Sequence, residues 1–231
     1  MNFYSDSFKS AILLIFSLDR ELLEVIAVSL RVSISSTIIA AVIGIPFGMI
    51  ISLKEFPAKR LLITSLNTLL AMPTVVVGLL VYSFISRKGL LGSFDLLYTQ
   101  TAIIIGQIIL IIPIMSTYTI SAVSRIDDRY RKTSLTLGAT ACQTAIVIMR
   151  EARFSLVAAV IIAYGRVIAE VGISMMLGGN AKGFTRTMTT VMALDYEMGE
   201  FELSVALGIV LLLISFSVNI ILNYIQGKSR I

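Results

Sequence analysis

Histidine and tryptophan are absent from this chain, cysteine occurs once, at Cys142, and proline four times. Without histidine, zinc and haem lose their commonest ligand, and acid–base chemistry near neutral pH loses its commonest agent. A single thiol excludes an internal disulfide framework. No metal site and no catalytic residue are expected. Charge is scarce as well: 14% of residues are Asp, Glu, Lys or Arg, against about 25% in soluble domains. Apolar residues take up the difference, at 57%. The net charge of +5 is gathered between apolar runs and does not suggest nucleic acid.

The distribution of the apolar residues decides the class. Val32–Leu53, Leu61–Ser86, Leu96–Ser124 and Leu203–Gly227 contain no charged residue. A helix needs roughly 20 apolar residues to cross the hydrocarbon of a bilayer, so each run suffices. A fifth segment, Phe154–Leu177, has the length but carries Arg166 and Glu170. These runs are continuous rather than alternating, which excludes barrel strands. Backbone groups in lipid must be satisfied within the segment, which leaves helices. The expectation is an all-α polytopic membrane protein with five transmembrane helices.

Met1–Leu18 has no basic leader and no small-residue cleavage site, so it is not read as a signal peptide. Residues 1–24 are instead expected to form an N-terminal interfacial segment, with a short amphipathic helix over Phe8–Leu18 and Asp19 capping the next helix. Residues 25–231 are expected to form the transmembrane domain, and the stretch 125–153 the long loop between its third and fourth spans. Placing that loop in the cytoplasm puts eleven basic residues inside and six outside. The positive-inside rule then sets the N-terminus outside and the C-terminus in the cytoplasm.

Pro46, Pro73 and Pro113 fall inside spans, where they free a carbonyl and kink the helix. Gly44 and Gly48 form a small-xxx-small pair suited to close helix packing. In the loop, Asp127 or Asp128 can cap a short helix. Leu135, Leu137, Ala139, Ile146 and Ile148 give that helix an apolar side, and Gly138 lets another surface approach. A short amphipathic helix flanked by bases on the inner face is a docking element.

Here the sequence resembles a known family. The EAA loop of ABC importer permeases reads EAA, three residues, Gly, nine residues, Ile-x-Leu-Pro; Gly138 and Ile148 stand at its glycine and isoleucine. Lys132-Thr133-Ser134 and Arg150-Glu151 depart from its flanks. The whole chain resembles the tungstate/molybdate class of oxyanion permeases, and tungstate permeases most closely. The resemblance runs through Ser29–Ser33, Asn67–Leu69, Pro73–Leu79, Arg150–Arg153, Gly165–Gly172, Gly178–Asn180 and Thr185–Thr190. It implies the type I ABC importer permease fold and a homodimer in the plasma membrane. It also implies two cytoplasmic ATPase subunits, which hold ATP and Mg, and an external oxyanion-binding protein; no cofactor is bound by this chain. Ser134, Leu135, Gly138, Ala139 and Ile148 are the residues expected to couple to the ATPase.

Arg166 and Glu170, spaced i,i+4, are expected to share a helix face. Eleven strongly apolar residues in Phe154–Leu177 contribute about −0.3 to −0.6 kcal/mol each, while two central charges cost about 2.5–3.5 each. The span therefore inserts comfortably only with the pair neutralised and facing protein or water. Two readings stand: a structural ion pair, or a pair that holds one transport state. Pro73 and Thr74, the turn Gly178-Gly179-Asn180, and Thr189 and Thr190 are the candidate lining of a pathway or gate. Gly-Gly-Asn reads equally as a helix stop. Arg186 is expected near the outer surface.

Gly227-Lys228-Ser229 imitates the end of a phosphate loop, but the required earlier glycine is Leu222 and no strand precedes it. An intramembrane enzyme would need clustered acids or thiols at depth, where only Glu170 stands. A secondary transporter or channel is the remaining rival, though no clear internal repeat is present.

Overall fold

The computed structural model describes residues 3–199 and 201–227, so the Lys228-Ser229 part of the phosphate-loop mimic lies outside the described residues. Regular structure among them is entirely helical: α1 (Phe3–Phe16), α2 (Arg20–Leu53), α3 (Lys59–Leu69), α4 (Thr74–Ile85), α5 (Gln100–Ser124), α6 (Asp128–Thr136), α7 (Ala141–Glu151), α8 (Arg153–Ile168), α9 (Gly172–Gly178), α10 (Met188–Met198) and α11 (Phe201–Gly227), with one 3-10 turn at Gly92–Phe94. Asp19 caps α2 as expected, accepting the Leu22 N–H at 3.0 Å. Thr99 caps α5 through the Ala102 N–H.

Among the described residues three helices, α2, α5 and α11, are long and apolar enough to cross a membrane unbroken. The other two expected spans are bent pairs. α3 and α4 meet at 103°, and α8 and α9 at 59°. Five spans are reached only by counting each pair as one. Pro73 is therefore not a kink inside a span but the residue immediately before α4. Its ring removes an N–H and pushes Met72 out of helical geometry, so α3 ends in 3-10 bonds such as Met72 N–H to Leu69 O.

α2 runs through positions 24 and 25 without interruption, so the chain shows no break between an N-terminal segment and a bundle there. α1 ends at Phe16, where Leu18 takes a positive φ. Its Leu14 and Ile15 pack on a buried cluster of Leu22, Val25, Ile168, Met188, Val191 and Leu207.

α2 and α5 form the centre. A β-carbon at Gly44 would lie 2.6 Å from the Met115 β-carbon, and one at Gly48 2.7 Å from the Ser116 carbonyl oxygen. Neither space could hold a side chain. The Gly-xxx-Gly pair thus brings two backbones together, and the Ser116 hydroxyl reaches across to the Gly44 carbonyl at 3.3 Å. The main core adds Val77, Val81, Ile111, Ala163, Val167, Ile173 and Leu177. Outward, α2 exposes Ile34, Ile38, Ile39, Val42 and Ile43, and α11 exposes Leu212, Leu213 and Phe216. Apolar faces of this extent do not suit water.

Candidate functional site

The two breaks meet. Gly172, the first residue of α9, stands against the first turn of α4: a β-carbon there would find Thr74 Oγ1 at 3.1 Å and Val75 Cγ2 at 3.3 Å. Further along, Gly78 of α4 admits Met176, and Gly106 of α5 admits Ile173 and Leu177. Glycines on two neighbouring helices thus let the seven-residue α9 sink into the bundle.

Glu170 organises the second break. α8 ends at Ile168, so Glu170 lies beyond it and does not share a continuous helix face with Arg166. The pair forms nonetheless, with Arg166 Nη1 at 3.1 Å from Glu170 Oε2. The other oxygen, Oε1, accepts the Ile173 N–H at 3.2 Å and so caps α9. The Glu170 side chain is 2% exposed and that of Arg166 41%. The carboxylate is an internal fixture, and the guanidinium spans from it to the surface.

Two residues from elsewhere hold the break. Gln107 Nε2 donates to the Val167 carbonyl at 3.4 Å, and Ser36 Oγ donates to Gln107 Oε1 at 2.8 Å. Gln107, an amide in the middle of the charge-free run Leu96–Ser124, was the signal for this support, and its role was missed. Thr189 Oγ1 donates to the Glu170 carbonyl at 2.8 Å.

The Gly178-Gly179-Asn180 turn is a helix stop. Gly179 and Asn180 take φ of +66° and +50°, and the Gly179 N–H closes on the Met175 carbonyl. Thr190 donates to Asn180 Oδ1 at 2.8 Å, and Thr185 donates to the Gly178 carbonyl at 2.6 Å. Thr189 and Thr190 are buried, so their hydroxyls serve the interior of the chain. Of the candidate lining, Pro73 is exposed and Thr74 half-buried. Arg186 is not a free surface group: it pairs with Glu21 at 3.1 Å and is largely buried.

The residues expected to couple to an ATPase occupy a separate region, between α5 and α8. The single expected helix is two. The Gly138 N–H bonds the Leu135 carbonyl and the Ala139 N–H bonds the Ser134 carbonyl, a Schellman stop with Gly138 at φ +80°. Thr140 and Gln143 then form a reciprocal capping box that starts α7. Asp127 caps α6 through the Arg129 N–H. Ser134 is buried and bonds the Tyr130 carbonyl. Ile148 is buried against Met49 and Val123. Leu135, Leu137 and Ile146 are exposed, whereas Gly138 has open space around it.

The family model described as "Binding-protein-dependent transport system inner membrane component" matches residues 44–231. The chain belongs to this family. It is a multi-pass membrane permease of a binding-protein-dependent transport system. Over 228 residues it is 38% identical to the tungstate uptake system permease protein TupB of Peptoclostridium acidaminophilum, covering 99% of this chain and all of that one. It is 36% identical to a probable anion ABC transporter permease of Haloferax volcanii, covering 86% and 88% of the two chains. The inward-facing MetNI methionine ABC transporter shares the permease's fold, with a TM-score of 0.67 at 19% identity over 88% of this chain and 95% of that one.

Proposed function

We propose that this permease carries an oxyanion, tungstate foremost, across the plasma membrane as one half of a homodimer. Two cytoplasmic ATPase subunits, binding ATP and Mg, drive it, and an external binding protein delivers the substrate. The observation that carries this reading is the end-to-end identity of 38% with a tungstate uptake permease. The charge count supports an outer N-terminus and a cytoplasmic C-terminus.

The geometry supports a mechanism of alternating access. Thr64, Asn67 and Thr68 of α3 and Arg166 of α8 lie on outward surfaces. Lipid does not suit such groups, whereas a water-filled passage against a second copy does. Neutral hydroxyls and amides let a dianion pass without gripping it. Arg166 attracts the anion, and its pairing with Glu170 moderates that attraction. The paired breaks form a joint about which half-helices tilt. The α6–α7 segment passes the ATPase motion on: Leu135 and the Gly138–Ala139 turn meet the partner, while Ile148 anchors the segment to α2 and α5.

Uptake of radiolabelled tungstate into proteoliposomes tests the proposal, with permease, ATPase and binding protein combined and each omitted in turn. Uptake is expected only with all three and ATP. Uptake without the ATPase would make the chain a secondary carrier. Stronger uptake of molybdate or sulfate in competition would reassign the substrate.

A further inference from the structure

Where α2 ends, a cavity of about 280 Å³ opens between it and the α6–α7 pair. Its walls are apolar, from Met49, Ile50 and Leu53 of α2 to Leu135 and Ala145, and two cations, Lys54 and Arg131, stand among them. No carboxylate lines it. The nearby Glu55 pairs with Lys59 at 2.9 Å and lies within electrostatic reach of Arg131. Thr144 lines the cavity too, but its hydroxyl is fully buried and offers nothing to an occupant.

The surroundings name its chemistry. Ile39, Ile43, Phe47 and Ile50 are exposed along one face of α2, spaced so that they form a stripe down the helix. The stripe carries only large apolar side chains and runs into the cavity at Ile50. An apolar track that ends in two cations at the membrane boundary matches an acyl chain with an anionic headgroup.

We propose that this cavity binds an anionic phospholipid. Its acyl chain lies along the α2 stripe, and its phosphate is held by Lys54 and Arg131. Arg131 also donates to the Leu53 carbonyl at 3.2 Å, so the lipid sits where α6 is tied to α2. Lipid composition thereby bears on the position of the α6–α7 segment.

Cys142 lines the same cavity, is exposed, and is the protein's sole thiol. Its rate of alkylation by a maleimide, in the full chain in neutral detergent micelles, therefore reports occupancy. Phosphatidylglycerol is expected to slow alkylation in a saturable way. Phosphatidylcholine and inorganic phosphate are expected to leave it unchanged. Lys54→Gln, at an exposed position, should raise the phosphatidylglycerol needed about five-fold, the effect of one basic residue at an anionic surface. Equal protection by phosphatidylcholine, or undiminished protection in Lys54→Gln, would overturn the proposal. So would protection by inorganic phosphate alone, or protection that appears only when an ATPase subunit is added.

Discussion

Removing the positive member of the Arg166–Glu170 pair should cost the permease more than neutralising the negative one. In Arg166→Gln the carboxylate, 2% exposed, stays buried with the Ile173 N–H but no cation. Breaking a buried pair in this way costs about 3–5 kcal/mol. In Glu170→Gln the new amide oxygen can still accept the Ile173 N–H, and Arg166, 41% exposed, turns its charge to solvent. What is lost is one charge-assisted bond, screened on the Arg side, for about 1 kcal/mol. The double variant Arg166→Gln/Glu170→Gln buries no charge and should be more stable than Arg166→Gln alone, a non-additive result. Unfolding of the purified full chain by increasing dodecyl sulfate, followed by circular dichroism, measures all three. The reasoning fails if Arg166→Gln is no worse than Glu170→Gln, or if the double variant is no better than Arg166→Gln. If the pair also holds a transport state, Glu170→Gln should weaken the coupling of ATP hydrolysis to uptake in reconstituted vesicles while leaving the chain folded.

Gly48→Val would press a side chain against the Ser116 carbonyl and Thr119, at 2.7 Å from each. It should destabilise by about 1–3 kcal/mol in the same assay. Gly138→Ala meets no neighbour and should cost only the left-handed backbone penalty, about 1–2 kcal/mol. A larger loss of ATPase coupling than of stability would separate its two roles. The Lys59 hydrogen bond holds the Glu55 carboxyl below its ordinary 4.5. The stabilisation from that pair is therefore complete above about pH 4.5 and is lost as the pH falls through the lower folded value. Glu55→Gln should remove that part of the acid dependence, measured by unfolding across the acid range.

Much of this architecture could be read from residue order. Continuous charge-free runs report membrane helices directly, because a bilayer tolerates little else. Asp19, Asp127 and the Gly44/Gly48 pair could be read too, since caps and close contacts depend on one or two residue types. The breaks were harder. Pro73 was visible, but a proline alone does not distinguish a kink from a 103° turn. The burial of α9 depends on Gly78 and Gly106, which are distant in sequence, so no local pattern announces it. Arg166 and Glu170 were paired correctly although the helix between them stops, because a carboxylate that caps the next helix still points back along the last one. At Leu137–Thr140 both a helix stop and a capping box were written plainly; the amphipathic pattern of the flanking leucines and isoleucines overrode them. Thr189 and Thr190 looked like lining because hydroxyls are polar, yet buried carbonyls need donors just as much.

The glycine contact between α2 and α5 divides the molecule by mobility. Two backbones fitted this closely, with a carbonyl and a threonine lodged in the groove opposite Gly48, cannot slide past one another without clashing. On the proposed mechanism these helices act as a stator, and motion falls to the bent pairs α3–α4 and α8–α9, which meet where a methionine side chain faces Gly78. A cysteine cross-link between α2 and α5 should therefore be silent in transport, while one between α4 and α9 should stall it. The permease would then be tuned by what its moving halves rest against, not by its central axis.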